Sequence, residues 1–231
     1  MSIPVSTWYT DLANYTFPTV FIRLNEAEKE IFTDKKRTAS IVNTLIGKID
    51  YVIDHLPGSS FIHADSCAPT DSPLFRKSDA VKVGSVALDM LLESDKVTEA
   101  FKEEKSIRIA LHPYRRVNKM REFRMFIVEG KLKGLSQRYV KEYYSRIQKR
   151  SDEIWKSAQQ FCNKVADFLP EQTLVVDVYL TATDRFMIIA MNKWESCEPL
   201  LFNWDLDWEK SHGLKLVPKP IQLGGDVSVS F

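Results

Sequence analysis

Two arginines and two hard oxygen donors, spaced for a pair of hairpins, carry the chemistry open to this chain. In EFRMFIVEGKLKGLSQRY, from Glu122 to Tyr139, apolar residues alternate, Glu129-Gly130-Lys131 makes a turn, and the alternation resumes. That is the pattern of a β-hairpin, with Arg124 on one arm and Arg138 ending the other. A guanidinium presents a planar fork of donors that matches phosphate oxygens. Asp177 in LVVDVYL and Asn192 after FMIIAM fall on the arms of a second predicted hairpin, which turns at Thr183-Asp184-Arg185. Carboxylate and amide oxygens are the donors magnesium takes. Arginines on one hairpin and hard oxygens on the next form a set that can grip a nucleoside triphosphate and its metal ion.

Each member also has a plainer reading. Asp177 lies between Val176 and Val178, and alternation puts it on one strand face with Val175 and Tyr179. A carboxylate in such company needs a partner, because burying it alone is costly. Arg124 has an alternative partner in Glu122, two residues away on the same strand face. Arg138 also fits an exposed rim, and Asn192 alone fits a strand end. His63 in FIHADS and His112 in LHPY lack a second ligand at metal spacing, so both read as structural histidines. Asp65 and Asp71 in ADSCAPTDSP read as turn and cap residues. The chain has neither the glycines and Lys-Ser/Thr ending of a P-loop nor a G-x-S-x-G elbow.

The elements that must position these residues follow from periodicity. Asp34 is placed to cap a long helix with Ile41, Leu45, Ile49, Val52 and Leu56 on its buried side, ended by Pro57-Gly58. SFIHA is a strand. Ser85 is placed to cap a second helix burying Val86, Met90, Leu91, Val97 and Phe101. Ser106 to Leu111 is a short strand reaching a break at His112-Pro113-Tyr114. Ser151 reads as the cap of a helix that buries Ile154, Trp155, Ala158, Phe161, Cys162, Val165 and Phe168 and that opens with Asp152 and Glu153, favourable to its dipole. Trp8 to Leu24 reads as an extended, aromatic-rich lead-in. Helices interleaved with antiparallel hairpins predict an α+β fold.

Composition sets the bounds. With 231 residues, 44% of them hydrophobic, the chain can build a sizeable core. It holds no apolar run near the roughly 20 residues of a membrane helix, and MSIPVSTWYT does not resemble a secretory signal. Cys67, Cys162 and Cys197 are widely spaced, as expected of reduced thiols in a cytoplasmic protein. The net charge is +1, yet residues 105–150 hold fourteen Lys/Arg against three Asp/Glu, a local +11. Such asymmetry suits a segment that meets an anion. The run QRYVKEYYSRIQKR mixes basic and aromatic residues as single-strand nucleic-acid grooves do; a single-stranded RNA-binding module is the third-ranked function, and nucleic acid is not the expected partner.

Several segments together resemble the cell division cycle protein 123 family. STWYTDLANYTFPTVFIRL is similar to its opening, FIHADSCAPTDSP to its Ala-Pro loop, and EFRMFIVEGKLKGLSQRYVKEYY to its most distinctive stretch, with DVYL and EPLLFNWDLDW following in order. The resemblance implies an ATP-grasp-like α+β fold whose two lobes, with antiparallel sheets, enclose a nucleotide cleft. The chain is then one unit over 1–231, divided near 1–111 and 112–231. It also implies ATP and Mg²⁺ as ligands, with nucleotide contacts from Glu122, Arg124, Arg138, Pro113, Tyr114 and His63 and metal contacts from Asp177 and Asn192. Three positions depart from the family pattern: Ala190 stands where a metal carboxylate is expected, His63 where a lysine is, and His112 where an arginine is. ATP and Mg²⁺ binding are therefore expected to be weak. The expected function is assembly of translation initiation factor 2 by a monomeric chaperone that binds its gamma subunit, without enzymatic turnover. An ATP-grasp carboxylate–amine ligase is the alternative.

Overall fold

Strand and helix periodicities sort the chain into two sheets, each covered by helices. The structure, a computed structural model, describes residues 2–33, 38–103, 107–206, 208, 210 and 212–220. In chain order the elements are β1 (Ser2–Ile3), α1 (Tyr9–Leu12), β2 (Val20–Arg23), α2 (Glu26–Thr33), α3 (Ala39–His55), β3 (Ser60–Ala64), α4 (Pro73–Lys77), α5 (Gly84–Leu92), α6 (Asp95–Lys102) and β4 (Arg108–Pro113). After the connection come β5 (Glu122–Val128), β6 (Lys131–Gln137), α7 (Ser145–Gln148), α8 (Ser151–Val165), β7 (Leu174–Leu180), β8 (Phe186–Lys193) and β9 (Gly213–Lys215).

The first sheet has the order β2-β4-β3 and is antiparallel. Its core joins Ile62, Ile109 and Leu111 to Leu45 and Ile49 of α3, Leu88 and Leu91 of α5, and Val97 and Phe101 of α6. The second sheet has the order β1-β8-β7-β5-β6-β9, antiparallel except for the β6–β9 pair. One of its faces, with Phe123, Met125, Ile127, Val176 and Val178, packs on Ile154, Ala158, Phe161, Cys162 and Val165 of α8. Those helix positions recur every three or four residues, so they form one stripe. Each such side chain contributes about 1.5–3 kcal/mol relative to exposure.

The structure corrects the sequence reading at several points. The lead-in is not extended: Tyr9–Leu12 is a helical turn flanked by 3-10 turns. Its Trp8 and Leu12 join Ile3 in the core of the second lobe, although the chain position suggested the first. The second helix is two, because Ser94 breaks it and caps α6 by accepting from the Val97 N–H. The first of these starts at Gly84, not after a Ser85 cap, and Val86 is exposed. Ser151 opens α8 without capping it, and Phe168 lies beyond the helix and exposed. The strand after α6 runs through His112 to Pro113, since Pro113 occupies its last position. Asp34 and Ser106 lie outside the described residues.

Ser94 is fully buried, and its hydroxyl also donates to Asp71 at 2.5 Å. Ser94→Ala removes a helix cap and strands one Asp71 oxygen. The unfolding free energy from urea titration is expected to fall by about 1–2 kcal/mol; an unchanged midpoint would show that the joint between α5 and α6 does not depend on this cap.

Candidate functional site

The site grows from strand register. On the face of the second sheet turned away from α8, β8, β7, β5 and β6 place Ala190, Asp177, Arg124 and Ser136 opposite one another in one row. The next row is Asn192, Val175, Phe126 and Gly134. Arg138 follows the end of β6, and its backbone N–H donates to the Glu122 carbonyl at 3.1 Å.

Within the first row Arg124 donates Nε to Asp177 Oδ1 at 2.7 Å and Nη2 to Oδ2 at 2.9 Å. Arg138 Nη1 reaches the same Oδ2 at 2.9 Å. Arg124 Nη1 donates to the Glu198 carbonyl at 2.6 Å. Asp177 and the Arg124 side chain are only 5% and 7% exposed, whereas Arg138 is 36% exposed. Glu122 completes the cluster, with Oε2 3.7 Å from Arg138 Nε and Oε1 accepting from the Tyr139 hydroxyl at 3.4 Å. Burial pushes the Glu122 carboxyl up from its ordinary value, and Arg138 offsets part of that rise. The partner of Arg124 is thus Asp177 across the sheet, not Glu122 along its own strand.

Above this row lies a cavity of about 330 Å³, lined by Arg124, Arg138, Tyr139, Cys197, Glu198 and Leu200. Cys197, Glu198 and Leu200 belong to a strap after β8 that sequence reasoning did not assign to the site. The signal was present in EPLLFNW. Phe202 of that motif packs on Phe126 and sits over Gly134, where an added Cβ would stand 2.6 Å from its ring. Trp194, Trp204 and Trp208 complete an aromatic cluster with Phe126 and Val175 in the second row. Leu200 is held at φ 60°, a left-handed conformation that costs a branched side chain about 1 kcal/mol or more.

Of the expected nucleotide contacts, Arg124 and Arg138 reach the cavity, with Glu122 behind Arg138. Asp177 is buried with the two arginines, while Asn192 lies one row away, opposite Val175 on β7 and Ser2 on β1. Pro113 pairs with Ser60, and the Tyr114 N–H donates to Ser59. None of these three lines the cavity, nor does His63. His63 instead stands 6.0 Å from His112, which is stacked between Phe17 at 5.2 Å and Phe61 at 4.9 Å. Burial lowers the His63 basicity; burial, with His63 nearby, brings His112 down to about 4. Near neutral pH the two rings are uncharged where the resemblance expects cations.

Two α+β lobes joined through residues 114–121, one on a three-stranded and one on a six-stranded sheet with an arginine–carboxylate cluster, define the architecture. The chain belongs to the D123 family, whose model matches residues 19–217. It is 29% identical over 174 residues to the translation initiation factor eIF2 assembly proteins of Xenopus tropicalis and Xenopus laevis, which covers 68% of this chain. The chain spans about half, 52%, of the length of those relatives. Among solved structures, Cdc123 from Schizosaccharomyces pombe shares the fold with a TM-score of 0.82, covering 94% of this chain and 96% of that one at 21% identity.

Two outcomes follow from this geometry. Asp177→Ala leaves two guanidinium groups without their shared partner, one of them buried, and is expected to cost about 3–5 kcal/mol of unfolding free energy. Arg138→Gln, at a partly exposed position and with Arg124 still on Asp177, is expected to cost about 1 kcal/mol. Equal losses in denaturant titrations would contradict this division. The second outcome concerns acid. Above pH 6.5 His112 is neutral in both folded and unfolded chains and titration adds nothing. As pH falls from 6.5 towards 4 the unfolded chain takes up the proton first, so stability is lost, by up to about 3 kcal/mol for this ring. His112→Phe keeps the stack without the titration, so its urea midpoint should decline less than the parent's across that window; parallel declines would show that His112 is not the group responsible.

Proposed function

We propose that this chain is an ATP-binding assembly protein for translation initiation factor 2, acting on the gamma subunit in the cytoplasm and without turnover. The observation that carries the reading is family membership over residues 19–217, together with relatives named as assembly proteins of that factor. The aligned relatives are longer than this chain, so what is proposed for it is the part of the activity that the shared region holds. Nucleotide fits the reading through Arg124 and Arg138, which present donors to a cavity on the second lobe.

The site chemistry favours holding over reacting. Transfer of a phosphoryl group needs positive charge gathered around the developing phosphate oxygens. Here each arginine is already matched by a carboxylate, Ala190 faces Asp177, and His63 and His112 are held neutral by burial. A ligase that activates a carboxylate through an acyl phosphate finds less support in these residues than a binding protein does. Among the described residues no helix is long and apolar enough to cross a membrane.

The test is a pull-down of purified gamma subunit by the tagged full chain, followed by reconstitution of the trimeric factor from its subunits. Capture at low micromolar concentration and a higher yield of trimer are expected. No capture at tens of micromolar, combined with ATP-dependent ligation of an amine to a carboxylate, would replace this reading with the ligase.

A further inference from the structure

The row Ala190, Asp177, Arg124, Ser136 has guanidinium groups where a metal-assembled phosphate site needs open oxygens. Both Asp177 oxygens are occupied: Oδ1 accepts from Arg124 Nε, and Oδ2 from Arg124 Nη2 and Arg138 Nη1. A hard divalent cation would have to draw that carboxylate away from two arginines and leave a buried positive charge unmatched, which is strongly unfavourable. The residue opposite Asp177 is Ala190, which offers no oxygen from its side chain, and Asn192 sits opposite Val175 in the next row. Among the described residues no three His, Cys, Asp or Glu side chains converge as a metal-ligand set. Magnesium does not fit these donors.

Hydrogen-bond donors, by contrast, are in excess. A guanidinium carries five N–H groups. Arg124 uses three, two on Asp177 and one on the Glu198 carbonyl. Arg138 hydrogen-bonds through Nη1 to Asp177, with Glu122 further off at 3.7 Å from Nε. Its remaining donors belong to a side chain that is 36% exposed and lines the cavity. The acidic groups in reach are Asp177 and Glu122 within the cluster and Glu198 at the cavity wall; Lys119, over the Tyr139 ring at 5.2 Å, adds a cation beside Glu122.

We propose that the site takes a polyphosphate group directly on Arg138 and Arg124 without a divalent cation, Asp177 acting as the positioning residue that sets the two guanidinium groups side by side. This rests on the nucleotide-binding reading above and deepens it. Arginines bind phosphate through the same oxygens that magnesium chelates, so here the metal competes for the ligand. The balancing charges of Glu122 and Glu198 keep the affinity modest.

The experiment is calorimetric titration of the full chain with ATP and, separately, with inorganic triphosphate, each in excess EDTA and in excess MgCl₂. ATP is expected to bind at least as tightly in EDTA as in magnesium. Equal binding of triphosphate assigns recognition to the phosphate chain, and binding of ATP alone assigns it to a nucleotide. Arg138→Gln should weaken either ligand about tenfold or more, the scale of losing a charge-assisted contact. Asp177→Asn, checked for a native circular dichroism spectrum, should weaken binding in EDTA and create no preference for magnesium. ATP binding tenfold or more tighter in magnesium than in EDTA by the unaltered chain would overturn the proposal. So would no binding of either anion at millimolar concentration. The titration contains no partner protein, so its failure leaves the assembly reading to be decided by the pull-down alone.

Discussion

One carboxylate holds the second lobe's site together. Asp177 sits in the middle of a six-stranded sheet, 4% exposed, and is tolerated there only because Arg124 meets it bidentately from the neighbouring strand and Arg138 meets it from the end of the next. An isolated buried carboxylate would neutralise or unfold its surroundings. A paired one fixes the register of β5 against β7, because a slip of one residue would point Arg124 into the apolar core on the other face. The cavity, the strap carbonyl of Glu198 and the aromatic cluster beside it all take their positions from that register.

The same row explains which parts of the molecule were legible in the sequence. Both hairpins and their turns, the strand SFIHA, the long helix ending before Pro57 and the helix after Arg150 were readable because each has a strong period of two or of three to four residues. The break at Ser94 was not, since the apolar spacing continues across it and only the hydroxyl's choice of partner divides the helix. The importance of Arg124, Arg138 and Asp177 was visible from charged groups in apolar strands, but their partners were not. Alternation says which face a residue takes, whereas the pairing of β5 with β7 is a long-range fact. The strap was the larger gap: Cys197, Glu198 and Leu200 have no period, and Leu200 adopts a backbone conformation that its side chain disfavours.

Polar chemistry is divided unevenly between the lobes. The second lobe keeps charged groups facing a cavity, while the first offers a stack of Phe17, His112 and Phe61 with His63 beside it. Imidazoles buried against phenyl rings behave as flat apolar plates near neutral pH. Thr16 and Phe17 connect the two regions directly, because the Thr16 hydroxyl donates to the Ile188 carbonyl on β8 while the next ring joins the stack. The stack is therefore tied to the same sheet that carries Asp177.

The lead-in gives the chain an unusual assembly order. Ser2 and Ile3 pair with Asn192 and Met191, and Trp8 and Leu12 are buried in a core otherwise built from residues beyond 120. During synthesis the first lobe can collapse on its own local contacts, yet the segment that precedes it has no place to dock until almost the last strand of the large sheet has been made. Contacts of such long sequence separation slow folding and leave apolar surface exposed meanwhile. The ring of Trp8 is thus a late reporter: its burial marks the moment at which the lead-in meets the finished strands of the large sheet.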